Sequence, residues 1–320
     1  MRKPNKFLRP AAILIVAVVA LLAYLLRGGL HRFASTPYPV PPAAFQDWSQ
    51  ALAHPQTISM GTLQTGVVHM DACLNLDPDS LLQAACDHHP RDLAVLVHWL
   101  RHPNFGDFLI DTGFDDSFTK NPPYGNYTAA MRLFNWANGV TNRQEPGADL
   151  ASQLARLNLH PKAVFFTHLH PDHTAGVPAL SPQTEFVFGK TEAGFLARAA
   201  VANHFSGKSR FATLDFSTAP AMAPLGPTID VFGDGSFWAI SVPGHTDDDI
   251  AYLINGPTPV LLTGDASHFA WAFRSGVAPH GWNKAGTARA YLSLNQLKAF
   301  AATYPEVSLI YGHETELSMF

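Results

Sequence analysis

The sequence contains one short segment in which potential metal ligands are concentrated. Residues 167–176 read Thr-His-Leu-His-Pro-Asp-His-Thr-Ala-Gly, which places three imidazoles and one carboxylate within six positions. Alternate side chains of an extended segment point the same way, so His168 and His170 can share a metal ion. The turn that follows would bring Asp172 and His173 towards a second position. The spacing predicts a metal site, although a polar turn whose histidines cap backbone groups would use the same residue types.

Three further polar residues each follow an apolar run that is typical of a strand. His245 comes after Ser-Val-Pro-Gly, Asp265 after Leu-Leu-Thr-Gly, and His313 after Leu-Ile-Tyr-Gly. Side chains at strand ends are held by the sheet and collect at one rim, where a rigid site with several ligands is expected. Imidazole and carboxylate donors without thiolate suit zinc, and iron, manganese or cobalt would accept the same set.

Strand and helix patterns alternate around these residues. Apolar runs at 92–99 and 107–110, separated by a turn, predict a hairpin, and mixed strands and helices of this kind are typical of an α/β or α+β layered sandwich. The other predicted elements are a helix from Leu150 that Asp149 caps, a strand at 163–166, a helix from Thr191 to about Asn203, a hairpin formed by 250–254 and 260–262, a helix through 290–304 and a strand at 307–311.

The composition excludes several classes of protein. The chain has 320 residues, of which 47% are hydrophobic and 14% charged, so it is not disordered, collagen-like or a coiled coil. A net charge of −4 without a lysine or arginine run argues against binding of nucleic acid. No Gly-x-Ser-x-Gly elbow occurs and both cysteines lie far from the histidine motifs, so neither a serine nor a cysteine nucleophile is supported.

Residues 1–32 are predicted to be an uncleaved signal anchor. Four basic residues precede an uncharged apolar run at 11–26, and no Ala-x-Ala cleavage site follows it. The run is slightly shorter than the ~20 residues that span a bilayer, but a snorkelling Arg27 extends its reach. The excess of positive charge before the run places the amino terminus in the cytoplasm. We therefore expect a catalytic domain that is exported and anchored to the membrane, on the periplasmic side of the inner membrane if the source is bacterial.

Two alternatives to the anchor remain open: a cleaved signal peptide that leaves a soluble periplasmic or secreted protein, and a buried helix of the domain. A proline-rich segment at 33–44 is predicted to be an extended linker, followed by one domain at 45–320. In an oxidising compartment Cys73 and Cys86 could form a disulfide, and they could equally be two buried thiols.

The motifs together resemble the metallo-β-lactamase superfamily. The resemblance extends from about Gly61 to the carboxyl terminus, includes the five motif regions of that family, and implies a four-layer αβ/βα sandwich with the metal site at the edge of its two sheets. It also implies that Asp111, in an early Asp-Thr-Gly, supports a ligand histidine without being a ligand. The ligand set it implies is His168, His170 and His245 for one metal ion, Asp172, His173 and His313 for the other, and Asp265 between the two.

This resemblance implies a hydrolase with two zinc ions per chain. Two dications lower the pKa of a shared water, so that a bridging hydroxide is available at neutral pH and attacks an ester-like carbonyl polarised by one ion. Asp172 would orient this nucleophile and pass its proton to the leaving group.

Within the superfamily the chain is most similar to the N-acyl homoserine lactonase-like branch, through the stretches 108–114, 150–176, 243–246 and 262–267. We therefore expect a small lactone or related acyl ester as the substrate. Those lactonases usually carry a tyrosine three residues after the bridging aspartate, where its hydroxyl contacts the lactone carbonyl. His268 occupies that position here. Its imidazole could donate a similar hydrogen bond, indicate another substrate, or merely line the rim.

Two groups of aromatic residues could contact an acyl chain or belong to the core. They are Tyr124, Tyr127, Phe134 and Trp136 within segment 121–143, and Phe269, Trp271, Phe273 and Trp282 after the bridging aspartate.

Other functions fit the same motifs. A thioesterase resembling glyoxalase II and a β-lactamase would use the same metal site, and a catalytically silent zinc-binding protein would retain the ligands without turnover. The sequence predicts no particular oligomeric state.

Overall fold

The computed structural model describes residues 33–80, 88–194 and 199–314, together with residue 19. The predicted anchor at 1–32 therefore lies outside the described residues except for Val19, and Cys86 lies outside them as well. Within the described ranges, no helix is long and apolar enough to cross a membrane. The anchor and the export that it implies stay predictions.

The first of two sheets has eight strands and combines parallel and antiparallel pairing. Five neighbouring strands are parallel to one another, and the three at the other flank are antiparallel to their neighbours. The strands are β1 (Ser35–Pro37), β2 (Ser59–Asp71), β3 (Pro90–His102), β4 (Gly106–Ile110), β5 (Thr141–Arg143), β6 (Ala163–Phe165), β7 (Glu185–Gly189) and β8 (Phe211–Leu214), in the spatial order β1-β8-β7-β6-β4-β3-β2-β5.

The second sheet has five strands, and its last strand is parallel to its neighbour while the other pairs are antiparallel. Both hairpins expected from the sequence are confirmed, since β3 pairs with β4 in the first sheet and 250–254 pairs with 260–262 in this one. The strands are β9 (Thr228–Asp230), β10 (Phe237–Ser241), β11 (Ile250–Ile254), β12 (Val260–Leu262) and β13 (Ser308–Ile310), in the order β13-β12-β11-β10-β9.

Helices cover the outer faces of both sheets. Leu150 and Leu154 pack on the outer face of the first sheet, and Leu294 and Leu297 pack on that of the second. The two inner faces share a third apolar core, so the predicted αβ/βα layering is confirmed. The described α-helices are α1 (Trp48–Ala53), α2 (Ser117–Lys120), α3 (Ala129–Ala137), α4 (Leu150–Leu157), α5 (Pro171–Thr174), α6 (Ala270–Ser275) and α7 (Lys284–Thr303).

Coverage on both faces explains the apolar runs that precede the site residues. In β6, Ala163 and Phe165 enter the core between the sheets, while Val164 enters the core beneath α4. Because side chains alternate between faces, a strand with two covered faces reads as a continuous apolar run. The runs therefore mark the strands that hold the rim of the site.

Local signals set the bounds of α4 as predicted. Asp149 is its N-cap, accepting a hydrogen bond from the backbone N–H of Ser152 at 2.9 Å. Asn158 adopts a left-handed conformation with φ of 49° and ends the helix. The predicted strand at 163–166 follows directly as β6, so this segment leads from a capped helix to the histidine motif.

The predicted helix start at Thr191 is wrong. Residues 191–194 form a turn, 195–198 lie outside the described residues, and 199–201 are helical. The turn is held by distant groups, because the backbone N–H of Thr191 donates to Asp248 at 2.6 Å and Glu192 accepts from Leu169. These tertiary contacts outweigh the local helical pattern.

Part of the predicted linker at 33–44 lies in the first sheet. Ser35–Pro37 is extended, as the prolines suggest, and pairs with β8 in parallel. The Phe33 ring packs against Phe205 and Phe211 at centroid distances of 5.0 and 5.1 Å. Cys73 is buried and disulfide-bonded; its predicted partner lies outside the described residues.

Candidate metal centre

The structure brings the predicted ligands together at one rim of the two sheets. Most of them follow the strands β6, β10, β12 and β13. The short helix α5 carries the other two, Asp172 and His173. This placement is the one expected for side chains at the ends of buried strands. The residues assembled are His168, His170, Asp172, His173, His245, Asp265 and His313.

The first group contains His168, His170, His245 and Asp265, each offering one donor atom within 4.8 Å of the others. Nε2 of His245 lies 2.9 Å from Nδ1 of His170 and 3.4 Å from Oδ2 of Asp265. Nε2 of His168 lies 3.7 Å from the same carboxylate oxygen. Three imidazole nitrogens and one carboxylate oxygen therefore converge on one position.

The second group contains Asp172, His173 and His313. Oδ2 of Asp172 lies 3.8 Å from Nε2 of His173 and 3.7 Å from Nε2 of His313. Asp265 also faces this group, with Oδ1 3.6 Å from Nε2 of His173 and Oδ2 3.4 Å from Nε2 of His313. Asp265 therefore lies between the two groups, where the family resemblance implied a bridging carboxylate.

Unpaired buried atoms show that these residues fit a cation. Nε2 of His168, Nε2 of His173 and Oδ1 of Asp265 are buried and have no hydrogen-bond partner within the part of the chain that the structure describes. Buried polar atoms are nearly always paired, because leaving one unpaired costs its desolvation free energy. Metal ions shared by these donors would satisfy all three atoms.

The orientation of His173 in the second group depends on Asp111. Nδ1 of His173 lies 2.8 Å from Oδ2 of Asp111, and because a carboxylate only accepts, this contact requires the proton on Nδ1. When the imidazole is neutral, Nε2 presents its lone pair to the site. Asp111 is itself held by Thr167, whose backbone N–H and hydroxyl each donate to it at 2.9 Å. The support role expected for Asp111 matches these contacts.

Asp111→Asn should weaken metal binding by about 10- to 100-fold, the usual cost of removing a partner of a ligand histidine. The amide can present its NH₂ group to His173 and favour the other tautomer. Competition with a chromophoric chelator measures the affinity. Asp107→Asn is the control, because Asp107 contacts the exposed Arg101 at 2.7 Å at the other end of β4. Equal affinity in Asp111→Asn and the unmodified protein would contradict the role.

The two groups differ in charge. Burial lowers the pKa of His168 and His245 well below the ordinary value and that of His170 to about 4, aided for His168 and His245 by neighbouring imidazoles. Burial opposes protonation of His173 and His313 as well, but nearby carboxylates outweigh it and raise the pKa of both. The first group therefore offers neutral nitrogens, whereas a metal ion bound by the second would displace protons.

Sequence reasoning missed Glu192, a buried carboxylate behind the motif. It accepts a hydrogen bond from the backbone N–H of Leu169 at 3.0 Å, and Leu169 stands between His168 and His170. Burial raises the pKa of Glu192 to about 7 against an ordinary 4.5, despite hydrogen bonds that favour the charged form. Nothing in the local sequence indicates this contact, since Glu192 follows no strand-end motif.

Glu192→Gln should stabilise the metal-free protein increasingly as the pH rises. Because the pKa of Glu192 is higher in the folded than in the unfolded protein, the free energy of unfolding decreases as the pH rises from 4.5 through 7. The total decrease is about 3 kcal/mol. Glutamine cannot ionise and still accepts from Leu169. Urea unfolding of chelator-treated protein at pH 5 and pH 8 tests this, with the exposed Glu306→Gln as control. A stability difference that is identical at both pH values would refute it.

His268, the other predicted catalytic residue, is only 2% exposed. Its Nε2 lies 3.2 Å from Oδ2 of Asp265, so the ring points into the cluster and does not simply line the rim. Trp282 is 68% exposed and its ring centroid lies 6.3 Å from that of His170. Trp282 is therefore the predicted aromatic residue whose position suits contact with a substrate.

The other predicted aromatic residues divide between core and surface. Phe269 and Phe273 are buried in apolar cores, with Trp271 partly buried beside Phe269. Tyr127 is buried in the same cluster as Phe269, and Tyr124 packs against that cluster. Phe134 and Trp136 are exposed on α3.

Comparison with known proteins shows which families and folds the chain is similar to. A hydroxyacylglutathione hydrolase of Prochlorococcus marinus (strain MIT 9301) is 32% identical over 108 residues, which span 34% of this chain and 37% of that relative. The fold is similar to that of a quorum-quenching N-acyl homoserine lactone hydrolase, with a TM-score of 0.61, 18% identity, and coverage of 82% of this chain and 95% of that one.

A second similar structure is that of a dizinc quorum-quenching lactonase, with a TM-score of 0.52, 14% identity, and coverage of 83% of this chain and 91% of that one. The family described as the metallo-beta-lactamase superfamily matches residues 92–302, which include all the predicted ligands except His313. This match covers more than half of the chain, and the chain therefore belongs to the metallo-beta-lactamase superfamily.

Proposed function

We propose that this protein is a dinuclear metal-dependent hydrolase that opens a lactone or a related ester, with zinc as the expected metal. The observation that carries the proposal is the convergence of two donor groups on Asp265, with unpaired buried atoms facing inwards. Two fold neighbours that act on homoserine lactones support the choice of substrate. The acyl chain would be the variable part of that substrate.

His168, His170 and His245 would hold one metal ion, Asp172, His173 and His313 the other, and Asp265 would serve both. When bound, such ions supply a nucleophile from water at neutral pH and polarise the carbonyl of the substrate.

The protein's own residues would place and protonate the substrate. The side chain of Asp172 is 17% exposed, so its carboxylate borders both the second group and the approach to the site. We assign to it the transfer of a proton to the departing alcohol oxygen. On the other side, Trp282 offers an apolar surface next to His170, where an acyl chain can lie.

A thioesterase is the second candidate, and the local similarity to a hydroxyacylglutathione hydrolase favours it. Both reactions place an acyl carbonyl at the metal centre and differ in whether oxygen or sulfur departs. A β-lactamase would use the same site, and a zinc-binding protein without activity would hold the metal without turnover.

The test is the metal content of the purified full-length protein, followed by initial rates on a substrate panel. The panel contains short- and long-chain homoserine lactones, a simple lactone, a thioester, nitrocefin and a phosphodiester. About two metal ions per chain with lactone turnover would support the proposal. Turnover of the thioester or of nitrocefin alone would still support the metal site, but it would reject a lactone as the substrate. Less than one tightly held metal ion per chain and no hydrolysis would reject the proposal that the protein is a metal-dependent hydrolase.

We also infer from the sequence that residues 1–32 anchor an exported domain to a membrane. Carbonate washing of membranes tests the anchor, and a protease added to intact spheroplasts tests the exposure of the domain. Release of a shortened protein into the soluble fraction would favour a cleaved signal peptide instead.

A further inference from the structure

His268 lies on the segment that also carries Asp265, and its backbone is tied to the end of β13. The carbonyl of His268 accepts a hydrogen bond from the backbone N–H of His313 at 3.1 Å, and that of Ser267 accepts from Gly312 at the same distance. The ring is 2% exposed. These backbone contacts fix the segment that carries the imidazole, and the ring itself is buried within the site.

The nitrogen of His268 that faces the site is placed like a ligand atom. Its Nε2 lies 3.2 Å from Oδ2 of Asp265, and that oxygen lies 3.4 Å from Nε2 of His313. One donor atom from each of these three residues lies within 4.8 Å of the other two. Ligands at ~2.0–2.2 Å from a zinc ion in tetrahedral geometry are separated by roughly 3.3–3.6 Å, so the observed spacing suits a shared cation.

The neighbouring rings allow this arrangement. The imidazoles of His268 and His313 are nearly parallel, with an interplanar angle of 9° and centroids 5.5 Å apart, so their Nε2 atoms face Asp265 side by side. Nδ1 of His268 is buried and has no hydrogen-bond partner among the described residues, so none of them donates to it or accepts from it behind the ring. The polar contact that the structure gives this imidazole is the one at Nε2, on the side of the proposed ion.

We propose that His268 is an additional ligand of the metal ion that His313 would hold, an assignment that rests on the dinuclear site proposed above. The ion would have Asp265 as a further ligand and thus more protein donors than a tetrahedral zinc site contains. A larger coordination number is easily accepted by cobalt, manganese or iron. His268 would therefore influence which metal the second position prefers, and would not take the role of a tyrosine that contacts the substrate carbonyl.

The test compares the cobalt-loaded full-length protein with its His268→Phe variant. A histidine bound through Nε2 carries a proton on Nδ1, which gives an exchangeable, strongly shifted proton resonance beside paramagnetic cobalt. We expect His268→Phe to lose one such resonance and to bind the second cobalt ion at least tenfold more weakly. His102→Phe is the matched control, since His102 is a buried histidine at the hairpin end of β3, bonded to Asp234.

His268→Tyr separates this role from substrate contact. If His268 is a ligand, the tyrosine variant also loses the shifted resonance. An unchanged set of resonances and unchanged cobalt affinity in both variants, with only KM raised, would overturn the proposal. If His268→Phe does not fold, as judged by unfolding of the metal-free protein, His268→Gln replaces it. An unmodified protein that binds fewer than two cobalt ions would overturn the dinuclear function itself, and this inference with it.

Discussion

Asp265→Asn should remove most of the metal binding and turnover of the protein. The carboxylate of Asp265 lies within 3.2–3.7 Å of nitrogens of His168, His173, His245, His268 and His313. Burial alone would raise the pKa of the Asp265 carboxyl, but the surrounding imidazoles outweigh it and hold that pKa well below the ordinary value. Removing one partner of a buried charge contact costs about 3–5 kcal/mol, or roughly 10²- to 10⁴-fold in affinity.

The measurement is metal content after dialysis, together with kcat/KM on the substrate identified in the panel. Asparagine keeps the shape of the side chain and removes its charge, while Asp265→Ala removes both. Asp247→Asn is the matched control, because Asp247 has a side chain that is 78% exposed and paired with Arg289. An Asp265→Asn variant that retains two ions per chain and normal turnover would rule out a central role for this carboxylate.

The rim of the site was predictable because the end of each of its strands can be recognised in the sequence as the end of an apolar run. β6, β12 and β13 are short apolar runs with both faces covered, and each is followed within a few residues by His168, Asp265 or His313. A strand holds the residues that follow it in a fixed direction, so these residues meet where the two sheets share an edge. Local patterns were sufficient because burial on both faces is itself a local signal.

The contacts that complete the site were not predictable in this way. Glu192 reaches Leu169 across 23 positions, and Thr191 reaches Asp248 across 57, so their partners depend on how the turns pack. The sequence showed that His268 replaces a tyrosine, but the direction of its ring depends on backbone hydrogen bonds to the strand that carries His313. Such features follow from tertiary packing, for which spacing along the chain gives no rule.

Close packing around Asp265 leaves no room for a side chain at one glycine of the site. Gly312 separates the end of β13 from His313, and a Cβ added to it would lie 2.3 Å from Oδ1 of Asp265 and 2.8 Å from the carbonyl oxygen of Gly264. Alanine therefore cannot be accommodated unless the carboxylate or the turn that carries it moves. Overpacking of this kind costs about 1–3 kcal/mol of stability, and the displaced carboxylate would no longer face both donor groups.

Gly312→Ala should therefore lower kcat/KM by about 10²-fold, the effect of a displacement of about 1 Å in a catalytic site, and should weaken metal retention. Gly226→Ala is the control, since its added Cβ would meet only ordinary contacts, the nearest being the side chain of Gln296 at 3.4 Å. Urea unfolding separates loss of stability from loss of the site, because the site should fail under conditions in which Gly312→Ala is still folded. If Gly312→Ala is folded and matches Gly226→Ala in both metal content and turnover, the close approach of β13 to Asp265 has no functional consequence.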